Sequence, residues 1–427
     1  DSPAVMRELH REFGDVALFR VGPFRIHQVA APELIRDVLQ DNTGAYRRGQ
    51  VYRGFELIFG TGMLTADGEQ WRSLRTAGRP FYRADFLADS MPLITGTVRD
   101  LVHSWADIAR QGQPIDVVPH VMRLAMGVVS RVVYGIDVRH RSDELHPAVV
   151  AALTVMMPGS AAQMLPGWLP GPHRRGLRLA RSRLDGAMAE VLTAHEQGRG
   201  AREGMAAVLS RMTDPGTGQP LTRQQIVDEL KTHFLAGHET TGCGLAWTLH
   251  EIATHPDVQD RLGAELETVL NGREPSTDDL AVLPYLRQVV AESLRLHPPI
   301  PYFPREPVRD VEIGGCPIPA GSTIFLSQYT VHHDPAHWPD PDRFDPDRWA
   351  PDRPGPARYS YFPFGGGHRR CVGAPLAELE IQVAVAMIAQ RFRLTPVPGR
   401  PVVPQATISL RPRHGLVMTI ADKGESR

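Results

Sequence analysis

Hydrophobic and polar positions along this 427-residue chain follow two different periods. Near the start, Val16 to Val21 and Phe24 to Val29 read as strands, and the Gly22-Pro23 pair between them predicts a hairpin. Pro32 to Leu39 predicts a short helix opened by proline at its first turn. From Met91 to Gly135 the apolar residues recur at helical spacing, and Arg181 to His195 repeats the pattern. Between them, Met156 to Pro172 is rich in Pro, Gly and apolar residues and reads as a flexible loop. Thr222 is placed to cap a long helix from Arg223 to about His255, with Pro256 just beyond it and Gly237, Gly242 and Gly244 inside it. Asp257 to Leu270 and Leu286 to Leu296 continue the helical period. After Pro298 the text shifts to short strands, Val311 to Ile313 and Thr323 to Leu326, then to a long Asp/Pro/Arg-rich segment, and a last helix runs from about Ala374 to Phe392. No internal repeat or low-complexity linker divides the chain, so the expectation is one mainly helical α+β domain with small sheets over residues 1–427.

Composition narrows the class. With 42% hydrophobic residues the chain can bury a large core, although its length alone suits two or three domains. A net charge of -1 gives no field that draws nucleic acid, and that role is set aside. Three cysteines, Cys243, Cys316 and Cys371, form no CxxC pair, which argues against a disulfide framework and for a reducing, cytoplasmic setting. No run of 18 apolar residues occurs, the longest near the C-terminus being Val383 to Ala389, so no transmembrane anchor is expected. The first residue is Asp1 rather than Met, which leaves open a trimmed leader or anchor. Arg occurs 45 times against two Lys, Lys231 and Lys423, a bias that suggests a GC-rich bacterial genome.

The richest chemical text is Phe364-Gly365-Gly366-Gly367-His368-Arg369-Arg370-Cys371-Val372-Gly373, with a helix expected immediately after it. A lone cysteine is usually a small core residue. Here glycines allow positive φ and the close approach of a large flat ligand, while a helix N-terminus lowers a thiol pKa and stabilises a thiolate. A phosphate-binding glycine loop would need a preceding hydrophobic strand and a Lys-Ser/Thr ending, both missing here. A second group, Ala236-Gly237-His238-Glu239-Thr240-Thr241, falls mid-helix, where glycine and threonines weaken the helix and can bend it. It reads either as a kink with an exposed Glu or as an acid–alcohol pair able to deliver protons. His238 reads as a bystander on the outward face.

The spacing Phe-x-x-Gly-x-Arg-x-Cys-x-Gly resembles the signature loop of the cytochrome P450 family at every fixed position, and the helical hexapeptide resembles that family's Ala/Gly-Gly-x-Asp/Glu-Thr-Thr. The resemblance implies the P450 fold with a long central distal helix, haem b (iron protoporphyrin IX) as cofactor, and Cys371 as the metal ligand, a thiolate that favours O–O cleavage. It implies that Phe364 packs beside the thiolate and Arg369 pairs with a propionate. Leu64, Ala236, Gly237, Pro363, Gly365, Gly373 and Ala377 are expected around the haem, with Ala236 and Gly237 leaving room above the iron. Thr240 is expected to hydrogen-bond dioxygen or its water while Glu239 relays protons from outside.

Glu292 and Arg295 stand at i and i+3 on one helical face, a pair that by itself is common. They resemble the family's Glu-x-x-Arg, completed by a downstream arginine; Pro341-Asp342-Arg343-Phe344 supplies it here as Arg343, with Asp where Glu is usual. Trp71 and Arg75, four residues apart, can face one carboxylate, as can an ordinary amphipathic rim. The resemblance makes them propionate partners together with Arg305. Many soluble bacterial relatives carry His at the position of Trp71, a departure that bears on the class of redox partner.

The resemblance further assigns a pocket to the loop Tyr52 to Leu64, the loop Met156 to Trp168, the strand after Pro298 and the turn near Thr407 to Leu410. Phe55, Phe59, Met63, Met157, Trp168, Ile300, Phe303 and Ile408 are the side chains expected there, although core packing explains such residues equally well. The implied activity is insertion of one oxygen atom from O2 into a lipophilic small molecule of terpenoid, polyketide or fatty-acyl type, in bacterial secondary metabolism. Three scattered cysteines cannot hold a [2Fe–2S] centre, so electrons are expected from a separate ferredoxin or flavodoxin-type carrier docking on an arginine-rich face of a monomer. Oxidative coupling, desaturation or peroxide-driven oxidation at the same haem is the alternative, and a non-enzymatic haem sensor or carrier is disfavoured by the Glu239-Thr240 pair.

Overall fold

The computed structural model describes residues 2–22, 24–41, 43–155, 172–199 and 203–426. Met157 and Trp168, with most of the loop that held them, lie outside the described residues. The helices that frame the interior are α1 (Gln50–Phe59), α2 (Gly68–Gly78), α3 (Met91–Gln111), α4 (Val117–Val129), α5 (Ser142–Val155), α6 (Pro172–Glu196), α7 (Arg223–Thr254), α8 (Pro284–Leu296) and α9 (Ala374–Arg391).

The long helical pattern from Met91 divides in two. Gly112, in the left-handed region at φ 63°, ends α3, and Ile115–Asp116 forms a short strand before Asp116 caps α4 through Val118 N. The stretch Val117–Tyr134, which closes in a π-turn, is long and apolar enough to cross a membrane by composition alone, but 72% of it is buried inside the protein. It is a core helix, hydrophobic on most sides because neighbours cover most sides. The segment beginning at Tyr52, expected as a loop, is instead helical through Phe59: Val51, Phe55, Ile58 and Phe59 recur at helical spacing and all are buried.

Helix α7 crosses the interior. Thr222 caps it in a reciprocal box, accepting from Gln225 N at 3.3 Å while Gln225 Oε1 accepts from Thr222 N at 2.8 Å. No break occurs at the hexapeptide; the glycines act through packing instead. A Cβ on Gly237 would stand 2.8 Å from Val129 of α4, one on Gly242 2.5 Å from the Met122 sulfur, and one on Gly244 3.1 Å from Ile381 of α9. Gly237 therefore lets α4 approach.

The predicted hairpin is β1 (Val16–Val21) against β2 (Phe24–Val29), registered Val16 to Val29. With β3 (Tyr46–Arg47), β4 (Phe303–Pro307) and β5 (Thr323–Leu326) it makes a five-stranded sheet in the order β1-β2-β5-β4-β3, in which only β2 and β5 run parallel. One hydrophobic cluster runs from Met6 to Ile420, and a second lies under this sheet.

The Glu292–Arg295 pair is wholly buried and bidentate, at 2.8 and 2.9 Å. Arg295 also donates to the carbonyls of His332, Pro341 and Arg343. Glu292 accepts from Asp345 N, Trp349 Nε1 and Arg348 Nε, the last at 3.1 Å. The completing arginine is thus Arg348, not Arg343, whose side chain is exposed and whose carbonyl alone joins the network. A 3₁₀ turn over Pro346–Trp349, capped by Asp345, rotates Arg348 inward. His332 carries the network onward by accepting from Phe362 N at 3.1 Å, at the root of the cysteine loop.

Candidate functional site

A cavity of about 290 Å³ lies between α7 and the glycine-rich loop before α9. On the loop side stand Pro363, Phe364, Gly365, Arg369, Cys371 and Gly373, with Ala377 in the first turn of α9; from α7 come Ala236, Gly237, Glu239, Thr240 and Thr241. Leu64, Trp71, Arg75 and Arg305 line it as well. The tertiary fold thus brings together all the residues that sequence reasoning assigned to the cofactor.

The loop is shaped as much by the protein as by any ligand. Gly365 and Gly367 hold φ of 69° and 66°, which glycine adopts without a Cβ penalty. A Cβ on Gly367 would overlap the Leu39 carbonyl oxygen, and one on Gly366 the Tyr359 ring. Cys371 N donates to Phe364 O at 2.9 Å, closing the turn. The Cys371 side chain lines the cavity. Burial pushes its thiol up, and the N–H groups of Gly373 and Ala374 with Arg75 and Arg370 recover only part of that. The backbone N–H groups thus act in the direction the sequence suggests while burial opposes them, and a metal cation at the sulfur would tip the balance to thiolate.

Four guanidiniums converge at one edge of the cavity. Arg369 donates to Ala66 O at 3.0 Å, pairs with Asp67 and lies 4.2 Å over the Trp71 ring; burial, then Arg48, lowers its pKa to about 9. Arg75 donates to Arg370 O and Arg305 to Pro304 O, each at 2.8 Å. Arg48, which the sequence did not single out, lies 4.8 Å over the Tyr52 ring but has Nε and Nη1 buried with no hydrogen-bond partner among the described residues. Glu239 and Glu380 are the only carboxylates among the described lining residues; Glu239 pairs with Arg411, outside this cluster. Buried unpaired cations are costly unless an anion meets them. A porphyrin edge bearing two carboxylates fits that demand, and the fit rests on Arg48 above all.

On α7, Thr240 Oγ1 donates to Ala236 O at 2.6 Å, the back-bond of a helical threonine. Glu239 is buried, 2% exposed, and not on an outer face. It accepts from Ser409 Oγ at 2.6 Å and from Arg411 Nε at 2.5 Å. Burial pushes its carboxyl up, but Arg411, His238 and Ser409 together hold it below the usual range. His238 is likewise fully buried, which corrects its placement on an outward face. Glu380, in α9, also lines the cavity, and burial pushes its carboxyl well above the ordinary value.

Of the expected pocket residues, Phe55, Met63, Ile300, Phe303 and Ile408 line the cavity. Phe59 does not; it is sealed in the core behind Phe55, with ring centroids 6.2 Å apart. Sequence reasoning missed Arg48, Arg348, Arg411 and Glu380, and placed Ser409 only as part of the turn near Thr407 to Leu410. Only Arg348 had a signal, since Pro346-Asp347-Arg348-Trp349 repeats the Pro-Asp-Arg-aromatic text five residues after its first occurrence.

The family profile described as Cytochrome P450 matches residues 2–419. Cyclooctat-9-en-7-ol 5-monooxygenase of Streptomyces melanosporofaciens is 32% identical over 399 residues, 90% of this chain and 84% of that protein. Cyclooctatin synthase of the same organism is 32% identical over 405 residues, 93% and 86% of the two chains. Among solved structures, a cytochrome P450 (CYP102L1) superposes with a TM-score of 0.85 at 26% identity, covering 98% of this chain and 97% of its own.

Proposed function

This chain belongs to the cytochrome P450 family and is a haem b-dependent monooxygenase, and from that premise we propose that it oxygenates a lipophilic small molecule of terpenoid type with electrons from a separate ferredoxin or flavodoxin. The carrying observation is the cavity wall: Val51, Phe55, Met63, Ile300 and Ile408 are apolar, and Glu239, the acid that α7 contributes, is tied to Arg411. Such a wall recognises shape and apolar area. Two relatives named for cyclooctat-9-en-7-ol and cyclooctatin support a carbocyclic substrate over a polyketide or fatty-acyl one. A cytoplasmic monomer is the accompanying reading.

Cys371 would hold the haem iron through its sulfur, with Phe364 beside it in the cavity wall. Arg48, Arg75, Arg305 and Arg369 would hold the propionates, as charge-assisted pairs that also relieve their mutual repulsion. Haem, when bound, supplies the activation of O2 and its insertion into a C–H bond. Ala236 leaves the α7 wall low beside the pocket, and the apolar lining excludes bulk water. Thr240 Oγ1, its proton donated to Ala236 O, presents acceptor lone pairs at the cavity face, and Glu239, ionised beside Arg411, is placed to receive a proton from behind α7 and return it.

The test is a reduced carbon monoxide difference spectrum of wild type and Cys371→Ser, followed by substrate-induced spectral titration with a cyclic terpene alcohol, a macrolactone and dodecanoic acid. A thiolate-type band lost in the variant, and tightest binding of the terpene alcohol, are expected. Retention of that band in Cys371→Ser overturns the ligand assignment, and preference for the fatty acid overturns the substrate class.

A further inference from the structure

Behind the cavity wall lies a set of polar atoms that the chemistry above leaves unused. His238 stacks on Phe234, centroids 5.5 Å apart, and meets His146 of α5 edge-on at 5.4 Å. Both ring nitrogens of His238, His146 Nδ1, Glu239 Oε2 and Arg411 Nη2 are buried with no hydrogen-bond partner among the described residues. These groups also interact electrostatically with one another, so they share one region between α5, α7 and the turn holding Ser409 and Arg411. Each unsatisfied buried polar atom costs on the order of 1–3 kcal/mol, and a native protein rarely keeps several together without a use. Phenylalanine at position 238 would stack on Phe234 without that cost.

The region has two ends. Glu239 and Ser409 line the cavity, whereas His146 and Arg411 are partly exposed. Burial lowers His238 to about 3, with His146 and Arg411 adding to the fall and Glu239 opposing it. The ring is therefore neutral, with one nitrogen a donor and the other an acceptor.

We propose that His238 and His146 bind water in this region and conduct protons from solvent to Glu239. This rests on the monooxygenase reading. Each turnover takes up two electrons from the redox carrier and two protons from solvent, as O2 yields one inserted oxygen and one water. An imidazole that accepts a proton at one nitrogen and releases one from the other moves it inward with no net charge left behind. His238 and His146 act through Glu239 and position the transfer; they touch no substrate.

A crystal structure of the haem-loaded enzyme is expected to contain water within hydrogen-bond distance of a His238 nitrogen and of Glu239 Oε2. His238→Phe, His238→Gln and His146→Phe are then compared in substrate-free turnover with a surrogate ferredoxin and its reductase, reading peroxide released per NADPH and the solvent deuterium isotope effect. His238→Phe is expected to melt no lower than wild type and to keep the thiolate band, yet to release several-fold more peroxide with a larger isotope effect. Glutamine, which keeps a donor and an acceptor, is expected to restore part of the loss. A dry region in the crystal, or unchanged peroxide and isotope effect in His238→Phe, overturns the proposal while the haem reading stands; loss of the thiolate band from wild type itself would sink that reading instead.

Discussion

Replacing Arg348 with alanine tests how the Glu292 network is built. Arg348 Nε donates to Glu292 Oε1 at 3.1 Å and its Nη2 to Asp340 O at 2.8 Å, with the side chain only 13% exposed. A hydrogen bond to a charged group is worth about 1.5–3 kcal/mol, so losing both contacts costs about 2–4 kcal/mol. Arg295, Trp349 and the Asp345 N–H still cover the carboxylate, which keeps the loss below the roughly 3–5 kcal/mol expected of Arg295→Met. Unfolding entropy near 2.1 cal/mol/K per residue gives about 0.9 kcal/mol/K for this chain, so Tm should fall by about 2–4 °C. Arg343→Ala leaves its carbonyl in place and should change stability by less than about 0.5 kcal/mol. Differential scanning calorimetry of the two variants decides the matter. A fall for Arg343→Ala that equals or exceeds that of Arg348→Ala refutes the reasoning.

Three further outcomes are expected. Arg48→Leu removes two buried nitrogens that lack hydrogen bonds among the described residues, so the haem-free protein should gain about 1–3 kcal/mol while its haem dissociates faster, read by denaturation and by transfer of haem to an acceptor protein. Gly237→Ala places a methyl 2.8 Å from Val129 Cγ2 and should cost about 1–3 kcal/mol, recovered in part by Val129→Ala in a double-mutant cycle. The Glu239 carboxyl is held below its ordinary value, so its stabilisation is present above about pH 4.5 and is lost as pH falls toward the folded-state value. Wild type should therefore exceed Glu239→Gln in stability at pH 7 and converge on it in acid; a gap that is constant with pH would remove the Arg411 pair as its source.

Local sequence carried much of this protein. The capping box at Thr222, the prolines at helix starts and the apolar spacing of α7, α8 and α9 are near-neighbour effects, legible wherever the chain is read. The fixed spacing from Phe364 to Gly373 is likewise a property of one loop, since the glycines at 365 and 367 answer to backbone φ within it. Helix α1 escaped because ten residues with glycine at either flank resemble a loop until packing stabilises them.

What the tertiary structure alone decided is which distant groups share a buried space. Glu239 and Arg411, 172 positions apart, carry no mutual signal, yet their contact at 2.5 Å sets the charge of the acid. Cys371 has thiolate-favouring neighbours in sequence, but the surrounding burial reverses the sign. Spacing records short-range geometry, whereas desolvation depends on everything within several ångströms, and only the packed chain fixes that.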